Sequence, residues 1–307
     1  MDERPLAQVH ASVHEPLLGT RVSIRLRATN PATAAVAERQ IVAEIERLEA
    51  VLSAYRPDSG WSRWRSGKVE HPGSEVTALL TLAARWHVQS GGAFHPSAGL
   101  LRERWLRAVA EQIEPSRAEM ADLATTLSTL PYVVDDGVVE RRGDCSRLDL
   151  HAIAKGWIID RAVSLVVGMP EIGEVLVNAG GDLLHRGPHA ITVGIEDPRR
   201  PFDNVPPLTS VSLRDAGLAS SSGARRPMIV AGTRHNHVLD PRTGWPVEHV
   251  LAATAIAPDA ATADVLATIV GVLPINEGLR FVETRPDVAC HLLASDATQH
   301  TSTHWPH

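Results

Sequence analysis

Two hydrophobic periodicities follow one another along this chain, and their order constrains its fold more than any single motif. Residues 34–52 carry Val36, Ile41, Ile45, Leu48 and Leu52 at helical spacing. Residues 76–90 repeat the pattern with Leu79, Leu82, Ala83 and Trp86, and Gly91-Gly92 then stops it. Helices are expected again over 100–113, 119–127 and 155–167. From residue 174 short alternating runs take over, expected as strands at 175–178, 191–195, 209–213, 228–231 and 252–257. Two strand signals come earlier: residues 22–27, and a pair over 132–139 broken at Asp136-Gly137. The chain closes with helices at 264–273 and 275–283 and a strand at 288–294. A doubly wound parallel sheet would alternate helix and strand throughout. Helices gathered ahead of strands imply α+β instead, a single compact unit of mixed or antiparallel sheets flanked by helices.

No linker is long enough to divide that unit, so residues 1–294 read as one domain. The polar residues 295–307 are expected to form a mobile tail, and the proline-rich residues 197–207 a long surface loop. With 307 residues, 44% hydrophobic and 21% charged, the chain can bury a large core and is not a disordered protein. Its net charge of −6 spreads no broad basic field, so no nucleic-acid partner is expected. Cys145 and Cys290 are too few for a disulfide framework or a cysteine metal site, although one bridge between them stays open. The opening residues show no basic segment followed by an apolar one, and no cysteine to carry a lipid. With no apolar run of about eighteen residues either, the expectation is a cytoplasmic protein without membrane insertion.

Chemistry gathers in two segments. Residues 148–160, LDLHAIAKGWIID, crowd Asp149, Lys155, Gly156 and Asp160 around an expected helix start. Residues 261–271, ATADVLATIVG, set Asp264 and Thr268 four positions apart, so that on a helix both oxygens project from one face toward one small cation. Spacing alone leaves plainer readings open. A carboxylate in a first helical turn is favoured by the helix dipole whatever its function, and a threonine on an apolar helix can bond back to a carbonyl. Lys155, read as opening its helix, is a cation at a disfavoured end and asks for an anion nearby. Asp149 reads equally as a cap, and residues 91–96 as a helix stop followed by an X-Pro turn. His235 and His237 lie at i and i+2, on one face if this is a strand, and an imidazole there can serve as a general base. The chain has no P-loop, no G-x-G-x-x-G, no H-E-x-x-H and no G-x-S-x-G, which removes the commonest nucleotide, redox, zinc-protease and serine-hydrolase readings.

These two segments resemble the D-L-(G)-x-I-A-K-G-x-x-x-D turn and A-D-x-L-A-T helix of the ApbE family of FAD:protein FMN transferases. Collinear segments extend the resemblance from residue 18 to about residue 271: Leu18-Gly19-Thr20, residues 55–59 (YRPDS), 91–99 (GGAFHPSAG), 178–182 (NAGGD), 194–198 (GIEDP), 221–223 (SSG) and 237–244 (HVLDPRTG). The resemblance implies a T-fold-related architecture and a magnesium-dependent cleavage of FAD. FMN would pass to a serine or threonine of an acceptor flavoprotein, and AMP would leave. It implies Mg²⁺ ligation by Asp264, Thr268 and the Ala152 carbonyl, and FAD contacts at Leu18, Tyr55, Ala93, Phe94, His95, Asp149, Lys155, His237 and Val238. His237 would be the general base, with Asp240 or nearby backbone orienting it. Left open are an FAD pyrophosphatase, a non-catalytic flavin-binding module and a structural protein that keeps only the fold.

Two residues depart from the family pattern. His95 stands where a carboxylate is usual, replacing an acceptor with a group that can also donate. If it touches the nucleotide, FAD affinity is expected to rise as its imidazole loses charge between about pH 5.5 and 8. Arg65 stands where asparagine or a similar polar residue is common, in a part of the site that influences transfer against hydrolysis.

Overall fold

The computed structural model describes residues 8–306 except 201, 203 and 224–226. The first seven residues and parts of the 197–207 loop therefore lie outside the described residues. β1 (Gln8–Leu17) and β2 (Thr20–Ala28) form an opening hairpin, followed by α1 (Pro31–Leu52), α2 (Gly60–Arg65), α3 (Ser74–Gln89), α4 (Gly99–Glu111) and α5 (Arg117–Thr126). A small ribbon, β3 (Tyr132–Asp135) and β4 (Val138–Arg141), leads into α6 (His151–Ser164). Strands β5 (Ile172–Ala179), β6 (Asp182–Arg186), β7 (Ile191–Ile195), β8 (Thr209–Leu213), β9 (Gly217–Ser222), β10 (Met228–Val230), β11 (Thr233–His235) and β12 (Val250–Ala257) come next. The chain ends with α7 (Ala260–Val272), α8 (Ile275–Glu283), β13 (Ala289–Ala294) and β14 (Gln299–Thr301).

Eight strands form one sheet in the order β1-β2-β5-β6-β9-β12-β13-β14, with every neighbouring pair antiparallel, which realises the α+β architecture. Local chemistry explains its elements. Asn30 caps α1 by accepting the Thr33 N–H at 2.8 Å, and Pro31 opens the helix where its missing N–H costs nothing. The buried stripe Ala34, Ala37, Ile41, Ile45 and Leu48 then packs on the alternating Val22, Ile24 and Leu26 of β2. Leu183 and Leu184 fall in different apolar clusters because successive side chains leave opposite faces of a strand. α7 is apolar almost all round and lies between the sheet and other helices as a core helix.

Several boundaries differ from the expectations. α6 begins at His151 and α7 at Ala260, each four residues earlier than the apolar pattern suggested. Lys155 and Asp264 therefore sit in second turns, and the arguments from a first-turn dipole do not apply to either. β1, β6, β9 and β11 and the short α2 had no clear periodic signal, being polar, small-residue or very short. Of residues 295–307, expected as a mobile tail, the described 295–306 turn back instead: β14 pairs with β13, and Trp305 is buried against Leu183, Leu218 and Ile256. The aromatic anchor outweighs the polar composition around it. Cys145 and Cys290 are both free and buried. Among the described residues no helix is long and apolar enough to cross a membrane.

Candidate functional site

The site is built where α6 meets the start of α7. A Cβ on Gly156 would lie 2.3 Å from the Ala260 carbonyl oxygen and 2.7 Å from the Ala261 nitrogen, so only glycine permits this approach. Asp160, one turn further along α6, accepts the Ala260 and Ala261 N–H groups, each at 2.8 Å. Asp259 caps the same helix through Thr262 N–H at 2.7 Å. Burial lifts the Asp160 carboxyl to about 6 even though these two N–H groups pull it down. Gly156 and Asp160 thus fix the register between the helix carrying Ala152 and Lys155 and the helix carrying Asp264 and Thr268.

Asp264 is 8% exposed, and its Oδ2 accepts the Gly156 N–H at 3.4 Å. Thr268 is half-buried one turn on, its hydroxyl leaning back to the Asp264 carbonyl at 3.4 Å. Burial, and then the neighbouring Asp182 carboxylate, raise the Asp264 carboxyl well above its ordinary value, against the opposing pull of Lys155. Asp182 is itself 3% exposed and raised by burial, and the Lys155 ammonium pairs with its Oδ2. Two buried carboxylates share one ammonium here, an arrangement that favours arrival of further positive charge. Among the described residues no group of three or more histidine, cysteine, aspartate or glutamate side chains could hold a metal. A cation at Asp264 would therefore complete its shell with neutral oxygen, such as the Thr268 hydroxyl and the Ala152 carbonyl, a donor set that suits a hard cation.

Around this centre lies a rim of aromatic and basic groups. Tyr55 is 86% exposed, its ring 6.3 Å from that of His151. His151 Nδ1 lies 2.5 Å from Asp149 Oδ1, which also accepts the His151 backbone N–H at 2.8 Å. Burial pushes Asp149 up, but the His151 imidazole outweighs it and holds the carboxyl below its ordinary value; Asp149 in turn raises His151. Arg65 donates to the Leu148 carbonyl at 3.0 Å and the Ala54 carbonyl at 3.4 Å, tying the Tyr55 loop to the Asp149 turn. Its departure from the family pattern thus has a structural use. Leu18, at φ 54° in the β1–β2 turn, gives its N–H to Glu49 at 3.2 Å.

Ala93, Phe94 and His95 are all buried, with Ser90 Oγ accepting the Phe94 N–H at 3.0 Å. His95 Nδ1 accepts the Ser97 N–H at 2.9 Å, and its ring meets His87 edge-on at 4.7 Å. Burial, then the His87 charge, press the His95 imidazole down to about 4. It stays neutral across the pH range in which it was expected to tune FAD affinity, so that pH dependence does not arise from this residue. A cleft of about 840 Å³ brings the turn after α3 (Gly91, Gly92) against the 241–243 turn (Pro241, Arg242, Thr243).

His237 lies in a bend beyond β11, half-buried, and does not share a strand face with His235. His235 turns inward instead, 2.9 Å from Glu114 and against the Trp105 ring at 4.9 Å. Val238 follows in the same bend, its N–H given to Asn236 Oδ1 at 3.0 Å. Asp240 takes the Arg242 N–H and Nε at 2.9 Å and its Nη2 at 2.8 Å, so its carboxylate shapes the turn and pairs with Arg242 rather than orienting His237. In the sequence Asp182 stands only as the last residue of the 178–182 Gly-Gly segment. Its signal was an acidic residue opening a strand whose next residues, Leu183 and Leu184, are buried.

Comparison with known proteins places these features in company. The ApbE family model matches residues 18–292. Two relatives are each named FAD:protein FMN transferase. That of Treponema pallidum (strain Nichols) is 27% identical over 298 residues, covering 89% of this chain and 82% of its own. That of Escherichia coli (strain K12) is 26% identical over 314 residues, covering 96% and 88%. The crystal structure of the ApbE protein from Thermotoga maritima matches with a TM-score of 0.80 at 25% identity, covering 96% of this chain and 97% of that one.

Proposed function

Because this chain belongs to the ApbE family, we propose that it is a magnesium-dependent FAD:protein FMN transferase that joins FMN through a phosphoester to a serine or threonine of an acceptor flavoprotein. The observation that carries the reading is the buried charge at the α6–α7 junction. Among the described residues Asp264 and Asp182, from distant segments, converge there beside the Lys155 ammonium, two buried acidic groups beside one cation in a desolvated site. Mg²⁺ would be held by the Asp264 carboxylate, the Thr268 hydroxyl and the Ala152 carbonyl, and when bound it supplies charge neutralisation at the phosphoryl oxygens.

The chain's own groups account for the rest. Lys155 presents a cation to the FAD diphosphate, while exposed Tyr55 offers its ring to the flavin side. Leu18, residues 93–95, Asp149 and Val238 line the nucleotide, those at 93–95 through backbone, since their side chains are turned into the core. His237 takes the proton from the acceptor hydroxyl. The hydroxyl oxygen forms a bond to the FMN-side phosphorus, the bond from that phosphorus to the bridging oxygen breaks, and AMP leaves with that oxygen. An acceptor protein holds its hydroxyl in place, which is worth roughly 7 to 11 kcal/mol in the best intramolecular cases, whereas water must be captured from solution. A cytoplasmic location belongs to the same reading, and two free thiols suit a reducing compartment.

The test incubates the protein with FAD, Mg²⁺ and a flavoprotein subunit from the same cell, following AMP and FMN by chromatography and the subunit by mass spectrometry. The expected result is AMP release with an FMN adduct on a serine or threonine, both suppressed in His237→Ala. Free FMN without an adduct would make the protein a pyrophosphatase, and no AMP at all a binding module.

A further inference from the structure

Asp182 reaches the site by a route separate from the two motif helices. Gly180 and Gly181, at φ 64° and 105°, turn β5 into β6, and Asn178 Oδ1 steadies the turn by accepting the Gly181 N–H at 3.1 Å. The first residue of β6 is thereby delivered beneath α6, its carboxylate on the Lys155 ammonium. The two ends of this pair differ in character: the Asp182 side chain is 5% exposed and the Lys155 side chain 34%. The buried partner is the fixed one, and the lysine is the one that meets solvent.

We propose that Asp182 is a positioning residue for FAD: it holds the Lys155 ammonium at the mouth of the metal site, where the diphosphate must pass. The inference rests on the transferase reading above. A lysine keeps many rotamers on its flexible stem, so an untethered ammonium would lose that freedom each time it met a phosphate. Tethered to a buried carboxylate, it has lost the freedom already, on folding. The tether also answers a second need. Without Asp182, the Lys155 ammonium would still act on Asp264, the carboxyl needed for the cation.

The experiment is a double-mutant cycle on FAD binding, read as quenching of flavin fluorescence on rapid mixing in Mg²⁺ before turnover, with Asp182→Asn, Lys155→Met and the double variant. Each single variant is expected to weaken FAD by roughly tenfold or more, the scale of one charge-assisted hydrogen bond. The double variant should bind no worse than Lys155→Met, because Asp182 acts through the lysine, and Asp182→Glu should fall between Asn and the parent. Thermal melting runs alongside, and if Asp182→Asn does not fold, Asp182→Glu completes the cycle. Parent-like binding of FAD by the Asp182 variants, or single losses that multiply in the double variant, would overturn the inference while leaving the transferase reading standing. A parent protein that does not bind FAD would bring down both.

Discussion

Replacing Gly156 by alanine is the sharpest perturbation of this site, because it touches no ligand and acts only through helix spacing. The added Cβ would sit 2.3 Å from the Ala260 oxygen, 2.5 Å from its carbonyl carbon and 2.7 Å from the Ala261 nitrogen, where ordinary contact begins at 3.4 Å. All three atoms are backbone, and Asp160 holds the two N–H groups of the same turn. Relief therefore requires the start of α7 to move by about 1 Å. Such overpacking costs about 1–3 kcal/mol, and alanine's better helix propensity offsets about 1 kcal/mol of it. The net loss of up to about 2 kcal/mol should lower the melting temperature by at most a few degrees. Activity should suffer more. A shift of about 1 Å separates Asp264 and Thr268 from Ala152 and Lys155, and misplacement on that scale costs about 10²-fold. The assay is kcat/KM for AMP release at saturating Mg²⁺, with a thermal melt beside it. Gly168→Ala serves as control, since its Cβ would meet nothing within 4 Å. If Gly156→Ala melts with the parent and keeps its activity within about threefold, the helix-register argument is wrong.

Asp264→Asn should abolish Mg²⁺-dependent AMP release yet raise the melting temperature in EDTA, because it removes a desolvated carboxylate whose folded-state pKa lies well above its ordinary value; a variant that melts lower in EDTA would refute this. His95, pressed to about 4, takes up its proton in the unfolded chain near 6.5 but not in the folded one. Its stabilisation is complete above pH 6.5 and is lost as pH falls toward 4, on the order of 3 kcal/mol, and His95→Asn should flatten denaturation midpoints across that window. FAD affinity should show no His95-dependent change between about pH 5.5 and 8, which parallel titrations of parent and variant would reveal. Tyr55→Ala should leave stability within about 0.5 kcal/mol, since the ring is 86% exposed. It should weaken FAD binding measurably, and unchanged affinity would remove Tyr55 from the site.

What the sequence determined by itself was whatever periodicity and local spacing can encode. The helical spacing of Ile41, Ile45 and Leu48 and the Asp136-Gly137 turn needed no partner to be recognised, although Val36 of the same pattern is exposed and Ala34 and Ala37 take the buried face, and α8 spans residues 275–283 as its pattern implies. Order along the chain was enough for the α+β class, and the motifs around Lys155 and Asp264 were enough to mark where chemistry gathers. Tertiary structure decided the rest, because it depends on groups remote in sequence. α6 and α7 each start a turn before Lys155 and Asp264, with Ile153, Ala260 and Ala261 already buried in those first turns, so both charged residues move away from the helix ends. β6 is a five-residue strand ending in His185 and Arg186 and β9 is mostly glycine, alanine and serine, and they become strands because they pair between β5 and β12. Likewise Asp182 is an ordinary residue after a Gly-Gly turn until Lys155, 27 positions earlier, and Asp264, 82 positions later, are folded against it. Charge acts through distance in space and through exclusion of water, and neither quantity is written in residue spacing.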